Sequence, residues 1–308
     1  MILTRRCANP IMFVGLMGLL SGGCVSLEPY DEVRALLPPQ EFLRIGDQWI
    51  HYESFGSGGE PVMFIHGFGG STYSWWETLS RLGSTRRVVA VDLNGFGYTQ
   101  RLEAPESYSL AAQRDLILDV MDALEIDRAH VVGHSYGAGV ALRLAWDHAE
   151  RVRSLSLVDG GGGSSGGPSI PAVFKPFLFA WVKNFALRED NIRSILESSV
   201  HRKEVITDVM VDEYLKRLRI EGLDSALYGL TSGAGPMLPP IHPELLVPPT
   251  LIVWGVYDRV IPIRLGEELA LQIPKAQLVR FDASGHSRME EEPQRFVEVL
   301  VEFLDSAP

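Results

Sequence analysis

The sequence predicts an α/β fold in which helices cover both faces of a mostly parallel β-sheet. Short β-branched and apolar runs alternate with helical patterns along most of the chain, and several runs are almost continuously hydrophobic. Strands that are covered on both faces have this continuous character. The composition, 46% hydrophobic and 22% charged, is that of a globular protein with enough apolar material for one large core. The alternation therefore favours parallel strands joined by helical crossovers.

Seven strands are predicted from the apolar runs: Trp49–Phe55, Val62–His66, Val88–Asp92, His130–Gly133, Ser154–Val158, Thr250–Trp254 and Gln277–Phe281. Two amphipathic helices are also clear. Ser109 is a suitable N-cap for the first helix, and apolar residues recur on one stripe behind it. The first stripe comprises Ile117, Val120, Met121 and Leu124, and the second comprises Phe296, Val299, Leu300 and Phe303.

One long region interrupts the alternation of strands and helices. No strand pattern is found between about residues 164 and 235, where a glycine-rich stretch, Gly160–Gly167, leads into helical segments such as Val205–Ile220. The glycine-rich stretch lacks the Gly-Lys-Ser/Thr of a phosphate-binding loop, so we interpret it as a hinge. The pattern predicts a helical cap over residues 164–235, inserted into a core formed by residues 42–163 and 236–308.

The first residues have the features of a secretion signal. Arg5 and Arg6 precede a short apolar run, Ile11–Leu20, which is too short to cross a bilayer comfortably but fits the core of a signal peptide. The following Ser21-Gly22-Gly23-Cys24 resembles the cleavage site of bacterial lipoproteins. Residues 1–23 are therefore predicted to be a lipoprotein-type signal peptide, with Cys24 as the lipidated residue.

This interpretation predicts a location in the cell envelope, with a lipid anchor on Cys24 holding the protein to a bacterial membrane that faces the periplasm or exterior. Secretion, or anchoring by an uncleaved leader, is the alternative. Residues 24–41, which contain Pro29, Pro38 and Pro39, would form a tether. Cleavage would remove Cys7 and leave one cysteine, so neither an internal disulfide nor a cysteine metal site is predicted.

The formal net charge of −11 argues against nucleic acid as a partner, because an acidic surface repels phosphate. The partner predicted instead is a small-molecule substrate, in addition to the membrane. The sequence leaves the oligomeric state open.

The stretch Gly133-His134-Ser135-Tyr136-Gly137 matches the pattern of a nucleophile elbow. A strand that turns sharply into a helix brings the residues two before and two after the corner close together. Glycine at Gly133 and Gly137 permits that approach, and the corner residue then exposes its hydroxyl at the edge of the sheet. Ser135 is therefore the candidate nucleophile.

A serine hydroxyl needs a base to become a nucleophile, and the base must be oriented by a third group. After such an elbow, the order along the chain is acid and then histidine. Asp258 follows the strand Thr250–Trp254, and His286 follows the strand Gln277–Phe281, so both side chains are expected at the same sheet edge. Asp159, which follows Ser154–Val158, is an alternative for the acid.

An oxyanion that forms at the substrate carbonyl needs backbone N–H donors. One donor is expected directly after the nucleophile, at Tyr136. The second is expected in His66-Gly67-Phe68-Gly69-Gly70, which follows an early strand, and Phe68 is the candidate. The glycines there let the backbone approach a substrate closely.

These motifs, with Asp92-Leu93-Asn94-Gly95-Phe96-Gly97 and Gly285-His286, resemble the α/β-hydrolase superfamily over about residues 42–305. The resemblance is to its cap-bearing branch of esterases, lactonases, C–C hydrolases and non-metal haloperoxidases. It implies an eight-stranded sheet, a helical cap after the sixth strand and no cofactor. Asn94 departs from the pattern, because relatives usually have proline there. Asp92 is expected to orient loops.

The remaining histidines show no spacing typical of metal ligands, so no metal site is predicted: His51, His130, His148, His201 and His242. His66 and His134 are interpreted as structural neighbours of the oxyanion loop and the elbow. Tyr73, Trp75 and Trp76 are interpreted as core or pocket wall.

The predicted activity is hydrolysis of a small-molecule carboxylic ester, or a related acyl bond, through an acyl-enzyme on Ser135. Lactonase and C–C hydrolase activities use the same triad and stay open, as does a catalytically slow, ligand-binding member of the fold. Aromatic residues of the cap suggest a partly hydrophobic substrate, although they could equally pack the cap on the core: Phe174, Phe177, Phe179, Trp181 and Phe185.

Overall fold

An eight-stranded β-sheet runs through the computed structural model, which describes residues 25–161, 187–232 and 242–307. The strands are β1 Phe42–Ile45, β2 Gln48–Phe55, β3 Val62–Ile65, β4 Val88–Val91, β5 Ala129–His134, β6 Val152–Val158, β7 Thr250–Gly255 and β8 Gln277–Phe281. Their spatial order is β1-β2-β4-β3-β5-β6-β7-β8. β2 is antiparallel to both neighbours, and every other pair is parallel. The predicted mostly parallel sheet is confirmed.

The α-helices of the described residues are α1 Tyr30–Ala35, α2 Trp76–Leu82, α3 Leu110–Ala123, α4 Tyr136–Asp147, α5 Glu189–Ser199, α6 Asp208–Leu218, α7 Leu223–Ser232, α8 Ile263–Gln272, α9 Arg288–Glu291 and α10 Pro293–Ser306. Ser109 caps α3 as predicted, since its side chain accepts a hydrogen bond from the N–H of Ala112. Short 3-10 turns lie at Pro39–Glu41, Thr72–Trp75, Pro105–Tyr108, Ala149–Arg151, Lys203–Val205 and Pro243–Leu245.

The sheet separates two hydrophobic cores, and the central strands contribute alternate residues to each. In β3, for example, Val62 and Phe64 face one core whereas Met63 and Ile65 face the other. Helices α3, α4 and α8 cover one face, and α2 and α10 cover the other. Trp75 is fully buried against Phe64 in the second core. This two-sided burial explains why the strand runs are almost continuously hydrophobic.

Helices α5, α6 and α7 lie in the connection between β6 and β7, where the sequence predicts a cap. Six buried residues of α5, α6 and the segment between them form a small core: Ile192, Leu196, Val200, Ile206, Val211 and Leu215. Helix α7 approaches the turn Pro105–Tyr108 closely, because a Cβ on Gly229 would lie 2.1 Å from the ring of Tyr108. Residues 164–186 and 233–235 of the predicted cap lie outside the described residues.

Most of the segment predicted to be a tether, residues 24–41, is docked on the protein. The N–H of Glu28 donates to the carbonyl of Arg219 at 2.8 Å, and the N–H of Glu221 donates back to Glu28 at 2.8 Å. Tyr30 is buried in a cluster with Phe42, Tyr98 and Ile220. Prolines predict irregular backbone but do not reveal that an aromatic residue anchors it. The predicted signal peptide, residues 1–23, and Cys24 lie outside the described residues.

None of the helices among the described residues has both the length and the apolar character needed to cross a bilayer.

The connection from β5 to α4 is a sharp corner at Ser135. Its backbone has φ 52° and ψ −113°, in the left-handed half of conformational space that non-glycine residues rarely adopt. A Cβ on Gly133 would lie 2.3 Å from the carbonyl oxygen of Gly137, and a Cβ on Gly137 would lie 2.4 Å from that of His66. The two glycines are therefore required by close contact between backbones.

His130 is a buried titratable group on β5. Its Nδ1 lies 2.8 Å from Oγ of Ser154 on the neighbouring strand. Burial, together with the positive charges of Arg86 and Arg153, lowers the pKa of His130 to about 4. The folded protein therefore holds His130 neutral at a pH where the unfolded chain would bind a proton.

Replacing His130 with Gln should make the protein less sensitive to acid. Because folding lowers this pKa, the stabilisation is complete above pH 6.5 and is lost as the pH falls toward 4. We expect His130 to account for about 1–2 kcal/mol of the loss in unfolding free energy between pH 7 and pH 5. Urea unfolding at both pH values checks this. An unchanged pH dependence in His130→Gln would contradict it.

Replacing Gly137 with Ala should destabilise the fold severely. The added methyl group would overlap two backbone carbonyl oxygens, which cannot move without disturbing β3. We expect a loss of about 3 kcal/mol or more, measured by urea unfolding. Gly46→Ala is the control, because φ at Gly46 is +56° but no atom lies within 4 Å of the added Cβ. That change should cost about 1–2 kcal/mol. Equal losses would show that crowding at the corner is unimportant.

Candidate functional site

Three side chains predicted from the sequence lie on loops at the carboxyl edge of the sheet: Ser135 after β5, Asp258 after β7 and His286 after β8. Nδ1 of His286 lies 2.8 Å from Oδ2 of Asp258. The other carboxylate oxygen accepts the N–H groups of Val260 and Ile261, both at 2.8 Å. Asp258 is therefore held in one orientation, with one oxygen directed at the imidazole.

The loop that carries His286 is fixed by contacts with the cap. The N–H of His286 donates to the carbonyl of Ser199 at 2.6 Å. The N–H of Gly285 donates to Oε1 of Glu291 at 2.7 Å, while Oε2 of Glu291 accepts the N–H groups of His201 and Arg202 at 2.8 and 2.9 Å. These bonds tie the imidazole to the segment that follows α5.

Asp159, the alternative acid, is fully buried and makes an ion pair with the fully buried Arg288. It also accepts the N–H of Gly255 at 3.1 Å. Burial lowers the pKa of Arg288 well below its usual range. The structure thus brings Asp258, rather than Asp159, into hydrogen bonding with His286.

His134, Asp159 and His286 each place a potential ligand atom within 4.8 Å of the other two, the one such cluster in the described part of the chain. Each already has a partner. Asp159 is paired with Arg288, and Nε2 of His134 lies 2.8 Å from the carbonyl oxygen of His286. Because a guanidinium lies against this cluster, a cation there would meet like charge. The arrangement is better explained as a hydrogen-bond network than as a metal site.

The loop after β3 is shaped by His66. Nδ1 of His66 donates to the carbonyl of Gly67 at 2.7 Å, and its Nε2 accepts the N–H of Leu93 at 3.0 Å. Burial lowers the pKa of His66, which favours the neutral form that these two bonds require. A Cβ on Gly67 would lie 3.2 Å from Cβ of Ser135, so this loop lies directly beside the elbow.

The two predicted oxyanion donors are both at this edge. Tyr136 begins α4, and Phe68 lies in the adjacent loop with its ring 58% exposed. The two rings are 6.4 Å apart. Among the described residues, neither backbone N–H donates to an acceptor. Free N–H groups at a helix start and in a glycine-rich loop are suited to bind an anion.

Asp92 orients loops as predicted. Its carboxylate accepts the N–H of Thr72 at 2.6 Å and that of Tyr98 at 2.8 Å, and it lies 2.7 Å from Nδ1 of His51. Burial alone would raise the pKa of Asp92, but His51 and the backbone donors lower it below its usual range. The two loops that contain Thr72 and Tyr98 are therefore held by an ionised carboxylate.

The departure at Asn94 has a structural explanation. The N–H of Asn94 donates to Oε1 of Gln113 at 3.0 Å, and the amide of Gln113 donates to the carbonyl of Asn94 at 2.9 Å. Its side chain bonds with Gln48 and Ser107. Proline would lack the N–H that bonds to Gln113. In this protein, hydrogen bonds therefore restrict the backbone at residue 94, as a proline ring would do in relatives.

Ser135 and His286 line one cavity of about 260 Å³ between the cap and the core. Its wall is mainly apolar, from Phe68, Leu187, Ile192, Ile195, Leu196, Leu218, Leu223, Leu227 and Met289. The aromatic cap residues predicted as a lining, Phe174 to Phe185, lie outside the described residues. The described cap residues nevertheless supply an apolar wall of their own.

Three residues near the cavity were not predicted. Ser74 and Tyr214 line it, and Tyr214 donates to the carboxylate of Glu290 at 2.8 Å. Burial raises the pKa of Glu290 to about 7. The run Glu290-Glu291-Glu292 is typical of an exposed surface. Only its position shortly after His286 could have indicated that it contributes to the site.

The chain is similar to known hydrolases in both sequence and fold. Residues 62–299 match the alpha/beta hydrolase family. The chain is 32% identical over 264 residues to 2-hydroxymuconate semialdehyde hydrolase of Pseudomonas sp. (strain CF600), covering 81% of this chain and 88% of that protein. It is 30% identical over 268 residues to 2-hydroxy-6-oxononadienedioate/2-hydroxy-6-oxononatrienedioate hydrolase of Burkholderia vietnamiensis, covering 83% and 90%.

Among solved structures, a meta-cleavage product hydrolase from Pseudomonas fluorescens IP01 superimposes with a TM-score of 0.73 at 27% identity, covering 86% of this chain and 97% of that one. The family match spans more than half of the chain, and both curated relatives are named as hydrolases. The chain therefore belongs to the alpha/beta hydrolase family and is a hydrolase.

Proposed function

We propose that the protein is a serine hydrolase that cleaves a small, uncharged and largely hydrophobic carboxylic ester. One observation carries the proposal. Ser135, half-buried at a strained corner, and His286, whose imidazole is bonded to Asp258, line the same apolar cavity. Nucleophile, base and orienting acid in this arrangement are the parts needed for acyl transfer to water.

The bond to Asp258 fixes the role of each imidazole nitrogen. Nδ1 of His286 carries the proton that it donates to Oδ2 of Asp258, so the lone pair is on Nε2. Nε2 takes the proton of Ser135 as Oγ attacks the carbonyl carbon. The imidazolium is stabilised by Asp258 and returns the proton to the leaving alcohol oxygen as the C–O bond breaks. A water molecule then repeats the sequence on the acyl-enzyme and releases the acid.

The N–H groups of Phe68 and Tyr136 would hold the carbonyl oxygen while it is negatively charged. Both are backbone donors, so no side-chain motion is needed when charge develops. A donor of this kind typically accounts for roughly 100- to 1000-fold in rate. The contacts of His66 with Gly67 and Leu93 support the proposal, because they fix the loop that presents Phe68.

The cavity wall favours an uncharged substrate. No lysine or arginine is among the described residues that line it. Against this described part of the wall, a carboxylate would lose its hydration without a cation to replace it, which is unfavourable. The names of the curated relatives denote organic acids, so their substrates would suit this wall less well than a neutral ester.

Hydrolysis of a C–C bond by the same triad is the second candidate. The observation that favours it is the identity of 30–32% with relatives named as hydrolases of 2-hydroxymuconate semialdehyde and 2-hydroxy-6-oxononadienedioate. Both candidates use Ser135 and His286, so the substrate rather than the mutant distinguishes them.

Turnover of p-nitrophenyl esters of rising chain length should depend on Ser135. We expect Ser135→Ala to lower kcat by on the order of a millionfold, because the nucleophile is removed and its partners cannot act alone. Initial rates of p-nitrophenolate release measure this, with a 2-hydroxy-6-oxodienoate assayed in parallel for C–C cleavage.

The matched control is Ser198→Ala, an exposed serine of α5 whose hydroxyl bonds only to the carbonyl of Ile195 among the described residues. It should keep the wild-type rates. If Ser135→Ala were as active on esters as the wild type, or if only the dienoate were cleaved, the ester proposal would be wrong.

Asp258→Asn and Asp159→Asn should have different effects. Asn at 258 would favour the wrong imidazole tautomer, and we expect kcat to fall by roughly 10⁴-fold with the fold retained. Asn at 159 would leave the buried Arg288 unpaired, so we expect a loss of about 3–5 kcal/mol in stability and less effect on kcat of the folded fraction. Ester kinetics and urea unfolding of both variants test this. A folded Asp159→Asn variant with the larger kcat loss would identify Asp159 as the acid.

A further inference from the structure

A polar cluster in the cavity wall has no part in the mechanism above. Ser74, from the turn Thr72–Trp75 of the core, and Tyr214, from α6 of the cap, both line the cavity. Their hydroxyl oxygens are 3.0 Å apart. The hydroxyl of Tyr214 also donates to Oε1 of Glu290 at 2.8 Å. Ser74, Tyr214 and Glu290 therefore form one hydrogen-bonded chain from the cavity into the protein.

The donor and the acceptor of each hydrogen bond in this cluster follow from the number of protons available. Each hydroxyl has a single proton. Because Tyr214 gives its proton to the carboxylate of Glu290, the contact between the hydroxyls is a hydrogen bond only if Ser74 donates to Tyr214. Ser74 then keeps free lone pairs but has no proton to offer. With Glu290 ionised, the cluster presents a hydrogen-bond acceptor to the cavity.

Burying such a polar cluster in an apolar wall destabilises the folded protein. Burial raises the pKa of Glu290 to about 7 and raises the pKa of Tyr214 well above its usual value. Apolar residues could dock the cap on the core without that cost, since replacing buried ionic groups by well-packed apolar ones is often neutral or stabilising. A role in recognising a polar group on the substrate would explain why the cluster is there.

The position of Ser74 indicates where that group would be. A Cβ on Gly70 would lie 3.0 Å from Oγ of Ser74, and a Cβ on Gly67 would lie 3.2 Å from Cβ of Ser135. Gly67 and Gly70 are joined by a hydrogen bond of 3.0 Å in one tight turn. Ser74 is therefore close to the oxyanion loop, and a ligand atom beside it would be only a few bonds from the reacting carbonyl.

We propose that Ser74, oriented by Tyr214 and Glu290, selects acyl groups that carry a hydroxyl near the carbonyl, as in 3-hydroxyacyl esters. The substrate hydroxyl donates to Oγ of Ser74, and the rest of the acyl chain lies against the apolar wall. This inference rests on the proposed ester hydrolysis, but it concerns which ester is preferred.

The test compares p-nitrophenyl 3-hydroxyhexanoate, as both enantiomers, with p-nitrophenyl hexanoate at pH 8.5. We expect the wild type to have at least a tenfold higher kcat/KM for one hydroxylated enantiomer, since one satisfied hydrogen bond is worth about a factor of ten. Tyr214→Phe and Ser74→Ala should each lower that ratio to about one or less. Their kcat/KM for hexanoate should change by less than about threefold.

Tyr73→Phe is the matched control. The ring of Tyr73 lies edge-on to that of Tyr214 at 6.0 Å, but Tyr73 does not line the cavity. This variant should keep the wild-type ratio. Equal loss of activity on both esters in Tyr214→Phe and Ser74→Ala would mean that the cluster only docks the cap, and the inference would be wrong.

Binding to Ser135→Ala separates this inference from the proposed function. Neutral 3-hydroxyhexanamide should bind several-fold more tightly than hexanamide by isothermal titration calorimetry, and Ser74→Ala in the same background should abolish the difference. Equal affinities would overturn the inference even if ester hydrolysis were established. Absence of Ser135-dependent ester turnover would overturn the proposed function, while the binding difference would still support selection of a hydroxyl group.

Discussion

The crowded backbone beneath Ser135 is the constraint from which the rest of the site follows. A Cβ on Gly133 or on Gly160 would lie 2.3 Å from a carbonyl oxygen of the elbow, and a Cβ on Gly137 would lie 2.4 Å from the neighbouring strand. Only glycine permits these contacts, and they press β5, β6 and α4 together. Ser135 therefore keeps its left-handed backbone, with its side chain directed away from the crowded side and toward the cavity.

The loops around this corner have few regular backbone partners, and buried carboxylates replace them. Asp92 accepts two backbone N–H groups, Asp258 accepts two, and Glu291 accepts three. A charged acceptor makes stronger hydrogen bonds than a neutral one, and several donors on one carboxylate fix a loop without a strand ladder. The positions of the proposed oxyanion loop, acid and base thus depend on carboxylates that accept backbone N–H groups and exchange no proton themselves.

Much of this arrangement is predictable from the sequence, because the relevant signals are local. Buried strands give continuous apolar runs, and the elbow has glycines at fixed spacing. β1 is not predicted, because a four-residue edge strand with Phe42 buried and Arg44 exposed gives too short a pattern. The choice between Asp258 and Asp159 cannot be made locally, since both follow strands. It depends on Arg288, which pairs with Asp159 although a charged side chain so close to His286 is more typical of the surface.

The residues directly after His286 connect the proposed chemistry to the cap. Glu290 bonds to Tyr214 of α6, Glu291 bonds to backbone N–H groups after α5, and His286 itself donates to the carbonyl of Ser199. A displacement of α5 or α6 would therefore move the imidazole as well as the cavity wall. In this chain, the bond between Tyr214 and Glu290 joins the acceptor proposed at Ser74 to the segment after His286, whereas His286 itself is held by Asp258 and by the carbonyl of Ser199. Selection of the acyl group can therefore change through Ser74 and Tyr214 while the bonds that orient the base remain.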